Sequence, residues 1–498
     1  MTAKFNRRKF LGSAMASGAF TLVPRSVLGG AGYVAPSDRI TMAHIGMGTQ
    51  GFRELSGLLE EPGIQIVAVC DPNTDSNDYV EWGKNSVRNV IRKYLGDSSW
   101  GEGVEGCPGG REVGRKVVDT YYAKHGRKGS AKGCAAYADF RELLEKEKDV
   151  DAVKVMTPDH LHATISIAAM KKGMHVLMHK PIANRLYEGR LVLKTARQTK
   201  METHLLAYGS GAGNGLLAKG IKEGAIGRLR EIHNWTNRPV WPQYTEIPKN
   251  RPPVPRGLDW DLWLGPEKHR PYHPHYTHTV FRGWYDFGGG SMADMGIYSL
   301  WPVFAELGLG APLSAQAWQT HTCTIEDNVS RTVQNDFAYP TGCSLRFRFA
   351  ARGNMPEVDL FWYDGGMKPR LPDEVEAHDV QMGREGILFV GDDGVIMGSF
   401  HGRDPVLFAK GQSKPFRAED SSSGGISRTA SWLRAFKGGA SSPGSFLNAG
   451  PITDAVNLGT VALRAGKKVL FDSEKMKITN VSEAEKYLHR DYRDGWEL

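Results

Sequence analysis

The sequence predicts an α/β unit followed by an α+β unit: an open parallel sheet wound with helices, then a large, mostly antiparallel open β-sheet covered by helices on one face. Three observations carry this. The folded part opens with a strand, a glycine-rich turn, a helix and a second strand in quick succession. Apolar strands and helices then alternate as far as residue 208, the pattern of a parallel sheet with crossover helices. Beyond about residue 209 the strands alternate apolar and polar side chains every second residue, as in sheets with one packed face.

The chain has 498 residues, enough for two or three domains of ~150 residues each. Its first element is NRRKFLGSAMASGAFTLV, with Arg7-Arg8 ahead of a weakly apolar run from Phe10 to Val23. That run is too short to cross a bilayer, which needs ~20 apolar residues. Paired arginines before Phe10-Leu11 resemble a twin-arginine export signal; a disordered basic tail is the alternative. The expectation is a signal peptide over residues 1–35 and a periplasmic protein. With no cysteine in this region, no membrane anchor is expected. Residues 1–30 hold Lys4, Arg7, Arg8, Lys9 and Arg25 and no acids, so their removal lowers the formal charge from +8 to +3. Little excess charge is left for phosphates, which argues against nucleic acid as a partner. The five cysteines show no CxxC spacing, so a structural zinc site has no support. In an exported protein, Cys107 and Cys134 are a candidate disulfide in a loop-rich region.

Residues 39–45 read as a buried strand, and Gly46-Met47-Gly48-Thr49-Gln50-Gly51 fits GxGxxG. Residues 52–60 read as a helix, and IQIVAVC, Ile64 to Cys70, is a second strand ending at Asp71. In that context the motif marks a Rossmann dinucleotide-binding unit. Gly46 permits the tight turn, Gly48 the approach of the backbone to a pyrophosphate, and Gly51 close helix packing. The helix N-terminus offers unpaired N–H groups to phosphate. Asp71 can accept hydrogen bonds from both ribose hydroxyls of NAD. A 2′-phosphate at ~4 Å from it costs roughly 4 kcal/mol at an effective dielectric of about 20. No Lys or Arg follows before Lys84, so NAD is favoured over NADP.

Residues 74–133, rich in glycine and charge, read as an insertion with one short helix at 86–95. A strand at 150–156 then leads into TPDHLHA, Thr157 to Ala163. A helix at 162–172, a strand at 174–178 ending in His179-Lys180-Pro181, a helix at 185–200 and a strand at 203–208 complete the unit. The first domain is thus expected over residues 36–208. Such sheets bind ligands at the carboxyl ends of their strands, where Lys180 stands. An ammonium beside a nicotinamide stabilises an alkoxide as hydride departs; a solvated surface lysine is the other reading. Pro181 fixes the exit of the chain and helps aim Lys180.

The second domain is expected over residues 209–498, with strands at 229–238, 314–322, 330–339, 356–364 and 386–399, the last folded back at Gly391–Gly394. CSLRFRFA puts Cys343, Leu345, Phe347 and Phe349 on one face, and Ser344, Arg346 and Arg348 on the other. The free face of such a sheet suits a subunit contact, so a homo-oligomer is expected. Stretches 420–426 and 438–445 read as surface loops. In GWYDFGGGSMADMGIYSL, three glycines (Gly288 to Gly290) precede Asp294 and Tyr298, which at i, i+4 share one helix face.

Together GMGTQG, the Asp71 ending, TPDHLHA, HKP and GGGSMADMGIY resemble the Gfo/Idh/MocA oxidoreductase family. That family's lysine motif is usually Glu-Lys-Pro, and its second motif a glycine run, Asp, then His four residues later. His179 and Tyr298 depart from both. Tyr also occupies the second position in glucose–fructose oxidoreductase, an exported member. The resemblance implies NAD as cofactor and a carbohydrate substrate. It implies catalytic Lys180, Asp294 and Tyr298: Tyr298 as the base for a sugar hydroxyl, activated by Lys180, and Asp294 orienting the sugar, with a buried aromatic as the other reading of Tyr298. The glycine run would let the backbone pass close under the cofactor. Cofactor contacts are expected from residues 46–51, Asp71, Thr157, Pro158, His160, His162, His179, Lys180 and Pro181. His160 and His162 either line the nicotinamide side or cap the following helix. The run HRPYHPHYTHTVFRGWYDF reads as a sugar-facing loop, with Trp263, His278, Arg282 and Trp284 as substrate contacts. Pro271 and Pro274 argue against a metal site among its histidines.

The expected function is oxidation of a sugar or glycoside carbinol by tightly bound NAD in the periplasm. Segments LDWDLWLGP and HRDYRDGWEL resemble an exported subgroup that points to C3 of a glucoside. Two alternatives stay open: a redox-neutral glycosidase, and a non-catalytic sugar-binding protein with structural NAD.

Overall fold

The computed structural model describes residues 34–125, 133–412, 416–417 and 428–498. The expected signal peptide up to position 33, Arg7-Arg8 included, and the expected loop at 420–426 lie outside the described residues. In chain order the first part holds β1 (Ile40–Ile45), β2 (Ile64–Cys70), a hairpin of β3 (Ser76–Tyr79) and β4 (Cys107–Gly109), β5 (Ala135–Tyr137), β6 (Ala152–Val155), β7 (His175–Met178) and β8 (Thr203–Leu205). Six of these form a parallel sheet in the order β5-β2-β1-β6-β7-β8. The order reverses between β1 and β6, so a crevice opens where their loops diverge.

The helix Thr49–Glu60 buries Phe52, Leu55, Leu58 and Leu59 along one stripe against the sheet. The insertion is shorter than expected. A helix over Ser86–Leu95 stands where the sequence put one, but Arg111–Lys124 is also helical and crosses from β2 to β5. It buries Val117, Val118, Tyr121 and Tyr122, a helical spacing obscured by the charge and by Gly114. Cys107 and Cys134 are both free thiols, contrary to the suggested pairing. Cys107 sits beside Thr49, Sγ to Oγ1 3.8 Å, and the helix Arg111–Lys124 intervenes between the two cysteines.

The second part adds β9 (Leu229–Trp235), β10 (Ser314–Gln319), β11 (Cys323–Glu326), β12 (Val329–Thr332), β13 (Cys343–Phe349), β14 (Val358–Tyr363), β15 (Gly386–Gly391), β16 (Gly394–Gly398), β17 (Val406–Ala409), β18 (Phe416–Arg417), β19 (Val469–Asp472) and β20 (Lys477–Ile478). Ten of them form one sheet, β18-β17-β16-β15-β9-β14-β13-β10-β19-β20, antiparallel except for the parallel pair β9 and β14. The expected strand at 330–339 is reduced to β12, which pairs with β11 in a separate exposed hairpin. There the Asn335 side chain accepts from the N–H groups of Phe337 and Ala338 and turns the chain. The helices Ile297–Leu307 and Gly450–Ala465 cover one face. The latter packs so closely at Gly459 that a Cβ there would meet Leu345 at 2.9 Å and Phe347 at 3.0 Å. On the opposite face Arg346 and Arg348 pair with Asp359, and His233 stacks on Phe361.

A buried charge network joins distant parts of the chain. Arg490 reaches Glu188 at 2.5 Å, Glu267 at 2.5 Å and Asn184. Arg185 lies 3.6 Å from the same Glu267 and 3.4 Å from Asp286. Removing one partner of such a network leaves uncompensated charge in a dry interior. Arg490→Ala is expected to cost about 3–5 kcal/mol of stability, measured by urea denaturation against the parent protein.

Candidate active site

A single cleft runs along the carboxyl ends of β1, β2, β5, β6 and β7 and encloses about 1480 Å³, part of it open to solvent. Its floor is the glycine turn. Gly46 has φ +101°, and a Cβ there would meet the Met156 carbonyl at 2.5 Å. A Cβ on Gly51 would collide with the Gly46 carbonyl, so strand, turn and helix fit only without side chains at these two positions. No side chain caps the helix that follows, and Gly48, Thr49, Gln50 and Gly51 at its start line the cleft, where the first N–H groups of a helix have no intrahelical partner. Met47 does not line the cleft. Its N–H donates to Asp71 Oδ2 at 2.7 Å, while Asp71 Oδ1 accepts from Asn73 N at 2.8 Å. Burial pushes the Asp71 carboxyl up, against those two hydrogen bonds. Thr157 lines the cleft with its buried hydroxyl unpartnered.

These features fit a dinucleotide: a cradle that a Cβ would fill, an uncapped helix end for phosphates, a carboxylate for ribose hydroxyls and an orphaned hydroxyl for a further contact. Tyr79 of β3, absent from the sequence prediction, closes the cradle. A Cβ on Gly48 would lie 3.0 Å from its ring, and its hydroxyl is 3.5 Å from Asp71 Oδ1. The insertion is held down there by His278, whose Nε2 is 3.2 Å from Asp78 and whose ring centroid is 4.1 Å from that of Tyr79. The hydrogen bond to His278 holds the Asp78 carboxyl down to about 2.

Across β1 from Asp71 stand the reactive candidates. Lys180 Nζ lies 2.5 Å from Asp294 Oδ1, and Arg282 Nε reaches the same oxygen at 3.3 Å. Burial would raise the Asp294 carboxyl, but Lys180 and Arg282 outweigh it and hold it below the usual range. Burial and Arg282 draw the Lys180 amine below its ordinary value, opposed by Asp294. Tyr298 is half-buried, with its ring centroid 5.2 Å from Lys180 Nζ and its hydroxyl 2.9 Å from His179 Nε2. Burial, with Lys180 and Arg282 close by, pushes His179 well below its ordinary value, so it is neutral. Asp294 belongs to a five-residue π-helical segment, Met292–Gly296, and Tyr298 to the α-helix that follows. The expected single α-helical face is therefore a widened turn.

Other expected contacts fall elsewhere. Gly288 to Gly290 do not face the cleft: added Cβ atoms would meet the Arg282 backbone, Ala293 and Tyr339, so the run serves close packing of protein on protein. The Gly289 N–H donates to buried Asp159 at 3.0 Å. His160 binds the Trp263 carbonyl at 2.9 Å. His162 lies between the carbonyls of Pro181, at 2.6 Å, and Thr157, at 2.9 Å, and so ties the ends of β6 and β7 together. Neither histidine nor Pro181 lines the cleft. Trp284 is 1% exposed in an aromatic core with Trp260, Tyr276 and Phe287, its Nε1 donating to the His275 carbonyl at 2.6 Å. The expected sugar-facing loop is thus mostly core; Trp263, His278, Phe281 and Arg282 reach the cleft. Phe140, Leu161 and Trp496 line it as well and were absent from the sequence prediction. Among the described residues no cluster of His, Cys, Asp and Glu could hold a metal ion, and no helix is long and apolar enough to cross a membrane.

Comparison with known proteins gives the same parts in the same order. Residues 112–205 match the Gfo/Idh/MocA oxidoreductase family's NAD-binding Rossmann fold, and residues 214–354 match the oxidoreductase family's C-terminal alpha/beta domain. The chain is a member of the Gfo/Idh/MocA oxidoreductase family. The Rossmann match begins just after the insertion, with the crossover helix Arg111–Lys124. Levoglucosan dehydrogenase of Pseudarthrobacter phenanthrenivorans is 34% identical over 112 residues, which is 21% of this chain and 28% of that protein. A glycosyl hydrolase family 109 protein of Shewanella baltica is 22% identical over 220 residues, 43% of this chain and 39% of that protein. The chain thus spans well under half the length of these relatives. The WlbA dehydrogenase of Chromobacterium violaceum, solved with NADH and UDP-GlcNAcA, superposes with a TM-score of 0.52 at 14% identity, covering 88% of this chain and 97% of that one. That likeness shows the fold.

Within this Gfo/Idh/MocA chain, the two departures from the family motifs, His179 and Tyr298, are hydrogen-bonded to each other. The buried histidines also make the protein acid-sensitive. Burial takes His160 down to about 3, so between pH ~6.5 and ~3 the unfolded chain binds a proton that the native chain does not. Stability therefore falls as pH drops through that window, by up to about 1.4 kcal/mol per pH unit for this residue. His160→Gln is expected to flatten the slope, measured as urea-unfolding free energy at several acidic pH values.

Proposed function

We propose that this protein oxidises a sugar or glycoside carbinol with bound NAD. The observation that carries the reading is the meeting, in one cleft with the dinucleotide cradle, of Lys180 from β7 with Asp294 and Tyr298 from the second part of the chain. NAD, when bound, supplies the hydride acceptor. The hydroxyl proton passes to Tyr298 in its phenolate form, whose oxygen lies 2.9 Å from His179 Nε2 and whose ring stands beside the Lys180 ammonium. Lys180 then faces the developing alkoxide with its charge, held in place by Asp294, whose carboxylate is itself fixed by Arg282. The carbon loses a hydride and the C–O bond becomes a carbonyl. C3 of a glucoside is the favoured position, on the resemblance of LDWDLWLGP and HRDYRDGWEL to the exported subgroup.

We place the mature protein in the periplasm, exported by Arg7-Arg8 with its NAD already bound, and assembled as a homo-oligomer through the open face that carries Arg346, Arg348 and Phe361. A second reading is a redox-neutral glycosidase, in which oxidation is followed by loss of the aglycone, addition of water and return of the hydride. It is favoured by the kinship with glycosyl hydrolase family 109 proteins.

Mass analysis of NAD-loaded protein incubated with a glycoside panel separates these. A keto-glycoside with NADH supports the dehydrogenase, and a free reducing sugar with unchanged NAD supports the glycosidase. No turnover of any sugar that binds would leave a carbohydrate-binding protein with structural NAD. Lys180→Met and Tyr298→Phe are each expected to lower kcat/KM by about 10²–10⁴ without loss of bound NAD, read by single-turnover nicotinamide absorbance and nucleotide content.

A further inference from the structure

We infer that residues 489–498 form a strap that closes the adenosine end of the cleft, with Trp496 as a wall against the adenine ring, so that NAD is retained instead of exchanged. The inference rests on the nucleotide cradle and is independent of the sugar chemistry proposed above. Phosphates belong at the uncapped start of the helix Thr49–Glu60, and Lys180 and Tyr298 mark the nicotinamide side beyond β6. The adenosine half then falls on the other side of β1, over the ends of β2 and β5, beside Asp71. The lining there is mostly apolar: Cys70, Ala138, Phe140, Leu161 and Ile165, with Trp496, and Asp139 is its charged member. Leu161 and Ile165 present one face of the helix Asp159–Lys171.

Trp496 comes from far along the chain to complete this wall. It is 5% exposed, its ring centroid 6.0 Å from that of Phe140, with the Arg141 guanidinium 4.1 Å over it. A Cβ on Gly265 would touch both Leu161 and Trp496, so the strap, the helix Asp159–Lys171 and the 265 loop converge. The strap is pinned on both sides. Arg490 joins Glu188 of the helix Leu186–Thr199 to Glu267, and the Tyr492 hydroxyl is 3.0 Å from Glu188. Arg493 donates from Nε to the Gly265 carbonyl at 3.1 Å and from its backbone N–H to Pro266 at 3.2 Å. Swinging the strap away requires exposing a buried arginine and two buried carboxylates, so the wall stays shut on the timescale of simple diffusion. A flat aromatic surface suits a purine, and every base has a face that can stack on it.

The test uses the NAD-loaded protein, Trp496→Ala and Trp496→Phe, with native folding checked by thermal melting. Release of bound NAD into excess labelled NAD is expected to be at least roughly tenfold faster in Trp496→Ala and intermediate in Trp496→Phe. On protein stripped of nucleotide, AMP affinity is expected to fall by the same factor as NAD affinity, while NMN affinity is unchanged. Parental NAD release by a folded Trp496→Ala would overturn the inference, and so would equal weakening of AMP and NMN. Should Trp496→Ala melt below the assay temperature, the same AMP and NMN comparison on Trp496→Phe decides it.

Discussion

The organisation of the cleft depends on one buried carboxylate. Asp294 sits in a π-helical turn of the second part of the chain, and Lys180 stands just past β7, ahead of the helix Leu186–Thr199, in the first. An isolated charge of either sign would be costly at this depth. Each is tolerable because the other is there, with Arg282 as a second cation on the same oxygen. The pair therefore fixes where the two parts of the fold meet and where a substrate carbon can sit relative to the nucleotide cradle.

Much of this was legible in the residues. The glycine motif, Asp71 and the strands leading to Thr157 and Lys180 follow local rules: a positive φ, a close approach, an apolar run with a polar stop. Such rules are written within a few positions of the chain, and the Rossmann elements appear close to where they were expected. The alternation of Cys343 to Phe349 showed which face of β13 is buried. What could not be read were relations between distant residues. The pairing of Tyr298 with His179, rather than with Lys180 alone, depends on how two domains dock. The glycine run Gly288 to Gly290 looked like a cofactor approach, yet its neighbours are Arg282, Ala293 and Tyr339. Trp284 has the chemistry of a sugar contact but is core, while Tyr79 and Trp496 line the cleft without any local signal. The crossover helix Arg111–Lys124 had the right apolar spacing, hidden beneath charge and the adjoining insertion.

The insertion is more than an ornament on the first sheet. Its hairpin lays Tyr79 between Gly48 and Gly109, and Thr49 donates its hydroxyl to the Val80 carbonyl at 2.7 Å. Asp78 meets His278 from the second part. The glycine turn is thereby covered from outside the Rossmann sheet, and the phosphate-binding edge is enclosed on a side that a bare nucleotide-binding fold leaves open. Aromatic packing around Trp260, Trp263 and Phe287 supplies the rigid backing for that enclosure.

The salt link from Arg490 to Glu188 spans 302 positions. A ribosome must add 302 residues beyond Glu188 before these two groups can touch. The nascent Rossmann half can pair its strands early, since its contacts are nearer in sequence, but its nucleotide pocket is still missing a side until Trp496 has been added. Closure of the nucleotide site thus waits on a segment made long after the Rossmann elements that it covers.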